Sequence, residues 1–429
     1  MKLKKYKLDN LLRVTRGASL PGTGYADSGK YLRLTLANIK EEGGFKDFKT
    51  TQGKFFTGSF DQRFIMRKGD LITPLTEQSP GLLGSVAFIP CDDLYIQSQD
   101  IGLVNCNAEK IDKRFAYYLF LTRTVREQIS ARSQQTKIRH TSPDKIADIK
   151  VYIPDLPDQL LIAGILGSLD EKIEVNRRKI AELEDLAKTI YDYWFVQFDF
   201  PDANGRPYKT SGGEMVWYDK LKRALPKDWV PRSVSQCGIF HHGVTYSKDD
   251  ELSASAKDAM PVYRGNNIAN GFVIYDSNEV FVPSSMVSTS QILKRGNLLI
   301  AMSSGSKAHV GKAGLITYNK PERAFGAFCT SFEPCSQYRY LIFNFFWSKS
   351  YRAYIQQICS GTGINNLKPE HFNTDLLAVP QNEKIIDSFN KQQKPIFDRI
   401  MDLDEESIEL SKLRDSILPL LINGQVEVK

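Results

Sequence analysis

The 429-residue chain has little cysteine: six residues, with no CxxC pair among them. A disulfide scaffold and a structural zinc site are therefore both poor fits, and a reducing compartment is expected. Long apolar runs are missing too. None approaches the ~20 residues that span a bilayer, and the densest stretch, Tyr340 to Trp347, is broken by Asn344. The basic start, MKLKKYKLDN, leads into no apolar signal core, so a cytoplasmic chain with no membrane contact is expected. Nucleotide chemistry has no signature. There is no GxxxxGK[ST] loop, and Gly22-Thr-Gly24 and Gly361-Thr-Gly363 are lone GxG pairs. An Asn/Asp-Pro-Pro-aromatic methyltransferase motif is also missing. No catalytic, cofactor or metal residue is assigned. Cys237 and the neighbouring His241 and His242 lack the further ligands that tetrahedral zinc needs, and read as a polar loop.

Acidic residues are scarce in one long segment. Between Phe281 and Pro369 only Glu322 and Glu333 stand against ten lysines and arginines. From Arg123 to Lys150 seven bases face three acids. The whole chain carries only +7. Two separated basic segments suggest two contacts with a polyanion, or else a solvated basic surface.

What is present is a repeat. Met66-Arg-Lys-Gly-Asp-Leu-Ile72 resembles Leu293-Lys-Arg-Gly-Asn-Leu-Leu299. Gly69 precedes Gly84, and Gly296 precedes Gly311, by 15 residues; Pro143 precedes Pro154, and Pro369 precedes Pro380, by 11. Thr136-Lys-Ile138 matches Thr362-Gly-Ile364, and the helical run from Glu182 to Ile190 matches Glu409 to Ile417. The constant order and offset, far longer than the ~20–50 residues of a solenoid repeat, indicate a duplicated domain-plus-helix unit.

Each copy opens with glycine-punctuated short strands, such as 84–90, 272–275 and 314–318, and one helix is expected late in each, near 112–130 and 338–358. A long helix then follows. In the first, Leu166, Ile173, Ile180, Ala187 and Trp194 recur every seventh residue, with Leu169, Asn176, Leu183 and Ile190 as a second series. Asn176 either fixes register inside the seam or faces solvent. Tyr191, Trp194 and Phe195 read as core before they read as a docking patch. The second helix, from about 383 to 422, offers Phe389, Ile396, Ile400, Leu403, Leu410, Leu413, Ile417 and Leu420, with Pro395 and Pro419 expected to limit it. The expected fold class is α+β: two mixed α/β domains separated by two long helices packed as an antiparallel coiled coil, with a pseudo-two-fold internal repeat. Thirty-seven helical residues span roughly 55 Å, on the order of 16 base pairs.

Polar loops at matching repeat positions are the candidate DNA contacts. Gln134, Gln135, Lys137, Arg139 and His140 align with Thr362, Asn365, Asn366 and Lys368. Thr76 and Gln78 align with Ser303, Ser304, Lys307 and His309. Gln135 or Asn366 suits adenine and Arg139 suits guanine, by bidentate contact to base edges. Lys137 and Lys368 suit phosphates. The alternative is an ordinary solvated turn in each case. Pro157-Asp158 with Asp170-Glu171-Lys172 mimics a nuclease pattern, but these residues lie along one helix and read as its charged outer surface.

Gln159-Leu-Leu-Ile-Ala-Gly-Ile-Leu-Gly-Ser-Leu-Asp-Glu-Lys-Ile-Glu-Val-Asn176, Ala187 to Phe198, and the segment ending Leu225-Pro-Lys-Asp-Trp229 resemble the central region of type I restriction–modification specificity subunits. The resemblance implies target-recognition domains at 1–156 and 199–381, and conserved helices at 157–198 and 382–429. It implies a non-catalytic subunit whose domains each read half of a split double-stranded DNA target. Its helices would set the gap and dock two methyltransferase subunits, with motor-nuclease subunits joining them. S-adenosylmethionine, ATP and magnesium would belong to those partners. An architectural DNA-binding protein, or a diverged fused nuclease or methyltransferase, are the other readings of the residues.

Overall fold

The structure, a computed structural model, describes residues 1–47, 52–78, 80–133, 139–219, 221–275, 279–359 and 365–426, with backbone alone for Asn365, Asp375 and Leu376. Among these residues lie seven α-helices: α1 (Lys113–Leu121), α2 (Arg123–Arg132), α3 (Pro143–Ala147), α4 (Leu156–Tyr191), α5 (Arg339–Trp347), α6 (Lys349–Ile358) and α7 (Glu383–Ile422). The chain divides into two compact units, Met1–Lys172 with Leu410–Lys429, and Ile173–Glu409. The architecture is α+β, with two mixed α/β units and two long antiparallel helices.

In the first unit a four-stranded antiparallel sheet runs Leu12–Arg16, Ile101–Cys106, Leu71–Pro74, Ala87–Phe88. The edge strand alternates: Leu12 and Val14 are buried and Arg13 is exposed, while all four residues of the inner strand Leu71–Pro74 are buried. The Asp112 carboxylate accepts the Phe115 N–H at 2.8 Å and so caps α1. That helix then lays Phe115, Leu119 and Phe120 into the core. Lys4–Lys7 pairs with Lys150–Ile153, which turns Val151 and Ile153 inward.

The second unit repeats this plan. Gly238–His242, Cys329–Pro334, Leu298–Ala301 and Ala313–Leu315 are adjacent in the same order, and the sheet continues through Phe272–Val273 and Ile268–Ala269. Trp229–Ser233 pairs with Asp375–Pro380. Gly17 and Gly243 show why the repeat keeps its glycines. A Cβ at Gly17 would lie 2.3 Å from the Ser98 carbonyl oxygen, and one at Gly243 would lie 2.2 Å from that of Gly326. His241 and His242 lie on a strand rather than in a loop, and His241 Nε2 sits 2.8 Å from Glu333 Oε2.

Further expectations need correction. The single helix expected late in each copy is two helices, broken at Thr122 and Ser348, whose backbones are extended. Each hydroxyl turns back onto a carbonyl of the preceding helix, Leu119 at 2.7 Å and Phe345 at 2.6 Å. The prolines do not limit α7, which runs through both. Pro395 and Pro419 are exposed, as are Lys391 and Asp415 four residues before them, so water can take up the carbonyls that lose a donor. Finally, Leu413 and Leu420 are 48% and 38% exposed and leave the seam. Arg414 takes that turn instead, donating to Asp170 at 2.7 Å. Asp170 also accepts the Tyr118 hydroxyl at 2.6 Å, so its carboxylate is an internal anchor rather than outer helix surface.

Elsewhere the seam holds. In the second unit Ile173, Ile180, Ala187, Phe389, Ile396, Ile400 and Leu403 are buried, with Leu183 and Ile190 packed partly against them. In the first unit Leu166 is buried, while Leu169, Leu410 and Ile417 are half-buried. Asn176 is 0% exposed and donates to Leu403 O at 3.4 Å and Glu406 Oε2 at 2.8 Å, which places it inside the seam. Ala187 O accepts from Gln393 Nε2 at 3.1 Å, so partner numbers fall as α4 advances and the pair is antiparallel. Tyr191, Trp194 and Phe195 are core.

Candidate nucleic-acid interface

The polar loops are held together by one backbone device, built twice. In the first unit the Leu75 N–H donates to Asp100 O at 2.8 Å, and the Thr141 N–H donates to Leu75 O at 2.9 Å. In the second the Met302 N–H donates to Phe328 O at 2.8 Å, and the Leu367 N–H donates to Met302 O at 2.7 Å. Short antiparallel ladders extend each hook. They pair Thr76 with His140 and Glu77 with Arg139, then Ser303 with Asn366 and Ser304 with Asn365. Three segments distant in sequence thus meet in each unit. Backbone hydrogen bonds fix their spacing, and their side chains are left to vary.

Arg126 and Arg352 brace these hooks from matching positions on α2 and α6. Arg352 donates to Val310 O and Lys307 O, both at 2.6 Å. Arg126 donates to Glu41 O at 2.9 Å, to Ser85 Oγ at 3.2 Å and to Gly81 O. Two charges of the basic segments are therefore committed to loop carbonyls. Gly84 and Gly311, at the ends of the braced loops, both have positive φ.

Arg139 is similarly engaged. Its Nη1 donates to Glu77 Oε1 at 2.8 Å, and its Nη2 donates to Ser130 O at 2.9 Å, Ser130 Oγ at 2.7 Å and Ser133 Oγ at 2.8 Å. The Glu77 side chain is 1% exposed and that of Arg139 20%. The other Glu77 oxygen accepts three backbone N–H groups, from Gly81, Leu82 and Leu83. This ion pair closes the loop that carries Gln78. Sequence spacing gave no sign of it, because Glu77 and Arg139 are 62 residues apart.

The remaining candidates sort by exposure. Thr76 is buried. Gln78 is exposed and, with Tyr25, Arg33, Gln99 and Asp100, lines an open cleft of about 600 Å³ in the first unit. The Arg33 guanidinium lies 3.9 Å over the Tyr25 ring there. His140, Lys307, His309, Asn366 and Lys368 are exposed, and Ser303 and Ser304 half-buried. Ser303 Oγ donates to Asn366 Oδ1 at 2.6 Å, and Lys312 Nζ donates to His309 Nδ1 at 2.9 Å. Burial pushes the Cys359 thiol up, so this loop-side cysteine stays protonated at neutral pH. Gln134, Gln135, Lys137 and Thr362, and the side chain of Asn365, lie outside the described residues. Residues that sequence reading did not single out are Asp100 and Phe328, Arg126 and Arg352, and Glu77. The repeat offset is the signal that could have found the first two pairs.

Residues 2–185 match the family model described as a type I restriction modification DNA specificity domain. The protein of Escherichia coli (strain K12) named Type I restriction enzyme EcoKI specificity subunit is 34% identical over 217 residues, covering 48% of this chain and 45% of that protein. That match thus spans less than half of the relative's length. The Type I restriction enzyme HindI specificity subunit of Haemophilus influenzae is 22% identical across 94% of this chain and 93% of its own. The crystal structure of a type I restriction–modification S subunit from M. genitalium shares the fold, with a TM-score of 0.56 at 15% identity over 98% of this chain and 96% of that one.

Proposed function

We propose that this chain belongs to the family of type I restriction–modification specificity subunits and is the sequence-reading, non-catalytic subunit of such a complex. Each unit reads one half of a split duplex target. The observation that carries this reading is the repeated hook. The same three segments are fixed by the same backbone bonds in both units, while the side chains they present differ. A common frame with variable side chains suits two readers of unlike half-sites.

The helices supply the rest of the proposal. They set the gap between half-sites and dock two methyltransferase subunits, which place S-adenosylmethionine chemistry over adenines in each half. Motor-nuclease subunits bring ATP and magnesium. Leu160, Leu161 and Ile165 on α4 support the docking role, since they form an exposed apolar face in the first unit. Among the described residues no helix is long and apolar enough to cross a membrane, and a cytoplasmic setting is part of the same proposal.

The test is methylome sequencing of source cells with the gene intact and deleted. Loss of one split adenine-methylated motif supports the function and supplies both half-sites. Methylation of DNA by the purified chain alone would overturn the non-catalytic assignment. Specific duplex binding without any association with a methyltransferase subunit would favour an architectural protein.

A further inference from the structure

The two hooks are superposable in their hydrogen bonding but not in one side chain. The residue whose carbonyl accepts the Leu75 or Met302 N–H is Asp100 in the first unit and Phe328 in the second. The correspondence does not rest on offset alone. Ala18 N–H donates to Gln97 O just before Asp100, and Val244 N–H donates to Phe325 O just before Phe328. The same strand crossing therefore leads into both positions.

Phe328 is 70% exposed, the highest value for a large apolar side chain among the described residues. A phenyl ring held in water loses the free energy that burial would return. Its turn is also rigid. The amides of Gly326, Ala327 and Cys329 donate to Tyr263 O, Val244 O and Gly326 O at 2.9, 2.8 and 2.8 Å. The Phe328 carbonyl accepts the Ser303 N–H at 3.3 Å as well as that of Met302, so the ring stands on the frame that holds Ser303 and Asn366. The loops of that frame, 303–312 and 365–371, carry Lys307, Lys312 and Lys368 against Glu370. An exposed ring on a backbone fixed to the frame that carries these lysines suits a duplex groove, where phosphates meet lysines and base edges meet the centre. In the major groove the apolar feature that distinguishes a base is the thymine C5-methyl.

We propose that Phe328 is a specificity-determining residue that packs on a thymine C5-methyl in the half-site read by the second unit. The inference rests on the DNA-reading function proposed above. Asp100 occupies the matching position in the first unit, and a carboxylate there cannot make this contact.

The test uses the full chain, with its methyltransferase partner, on duplexes carrying the split motif. Each thymine is replaced singly by deoxyuridine, which removes only the methyl group. Wild type is expected to lose about fourfold in affinity at one thymine of one half-site, the value of one buried methyl. F328A should bind thymine and deoxyuridine equally at that position while keeping the discrimination pattern of the other half-site. An exposed ring has little packing to lose, so F328A should unfold like wild type.

Several results would overturn the proposal. One is the same thymine preference in both proteins; another is no thymine preference in wild type. Uniform weakening by F328A on all sequences would mark a non-specific wedge. Loss of methyltransferase association with unchanged base preference would assign the ring to a protein contact. Failure of the wild-type complex to bind the split motif at all would instead count against the proposed function, and is separable from each of these.

Discussion

Replacing Arg139 by alanine should destabilise the first unit strongly, because the side chain neutralises a buried carboxylate. Four hydrogen bonds of 2.7–2.9 Å disappear with the guanidinium. Two of the lost partners are hydroxyls that can rotate, so the four do not sum. The dominant cost is Glu77, whose side chain is 1% exposed and whose charge then has no ion-pair partner among the described residues. Breaking a buried pair from one side costs about 3–5 kcal/mol. The tryptophans provide an internal control, since Trp194, Trp217, Trp229 and Trp347 all lie within Ile173–Glu409. In urea, far-UV dichroism of the variant should show an early transition that tryptophan fluorescence does not report. Amide exchange at Gly81, Leu82 and Leu83, which donate to Glu77, should accelerate by about 100-fold or more. A loss under about 1 kcal/mol, with unchanged exchange at these amides, would refute the internal-anchor account and return Arg139 to base reading. R139K should recover only part of the loss, because one ammonium cannot span both sets of acceptors.

Three further outcomes are expected. Asn176→Ala should lower the fluorescence-detected transition of the second unit by about 1–2 kcal/mol, as the amide bonded to Leu403 and Glu406 inside the helix pair is removed; no shift would mean the seam does not need its polar residue. Burial first, then the neighbouring Asp185 and Asp404, pushes the Glu184 carboxyl up to about 7. The folded state therefore holds this proton more tightly, and wild-type stability should fall between about pH 4.5 and 7 and then level off. Glu184→Gln should match wild type below that window and exceed it above by on the order of 1–3 kcal/mol, as read by pH-dependent thermal unfolding. Lys368→Ala should weaken binding to every duplex alike and reduce the salt slope by about 1; a change in base preference would show that Lys368 contacts a base edge instead.

Much of this protein was legible in one dimension. The repeat, both long helices and most of the heptad seam follow from residue spacing, because a helix with a 3.5-residue apolar period has one face to bury and places it predictably. The hooks keep that repeat in three dimensions, down to Gly17 and Gly243, where any side chain would strike a carbonyl. The turns at Thr122 and Ser348 were harder to see. A hydroxyl that bonds back to its own helix ends it locally without proline or glycine to announce the break. Tertiary contacts alone decided which charges are spent. Arg126, Arg352 and Asp170 look like surface charge in sequence and Arg139 like a base reader, and each meets partners only after strands and helices remote in sequence have packed. The same holds for Asp100 and Phe328. Repeat spacing puts them at nearly equal places in the two copies; only the folded backbone fixes both carbonyls to the same hook.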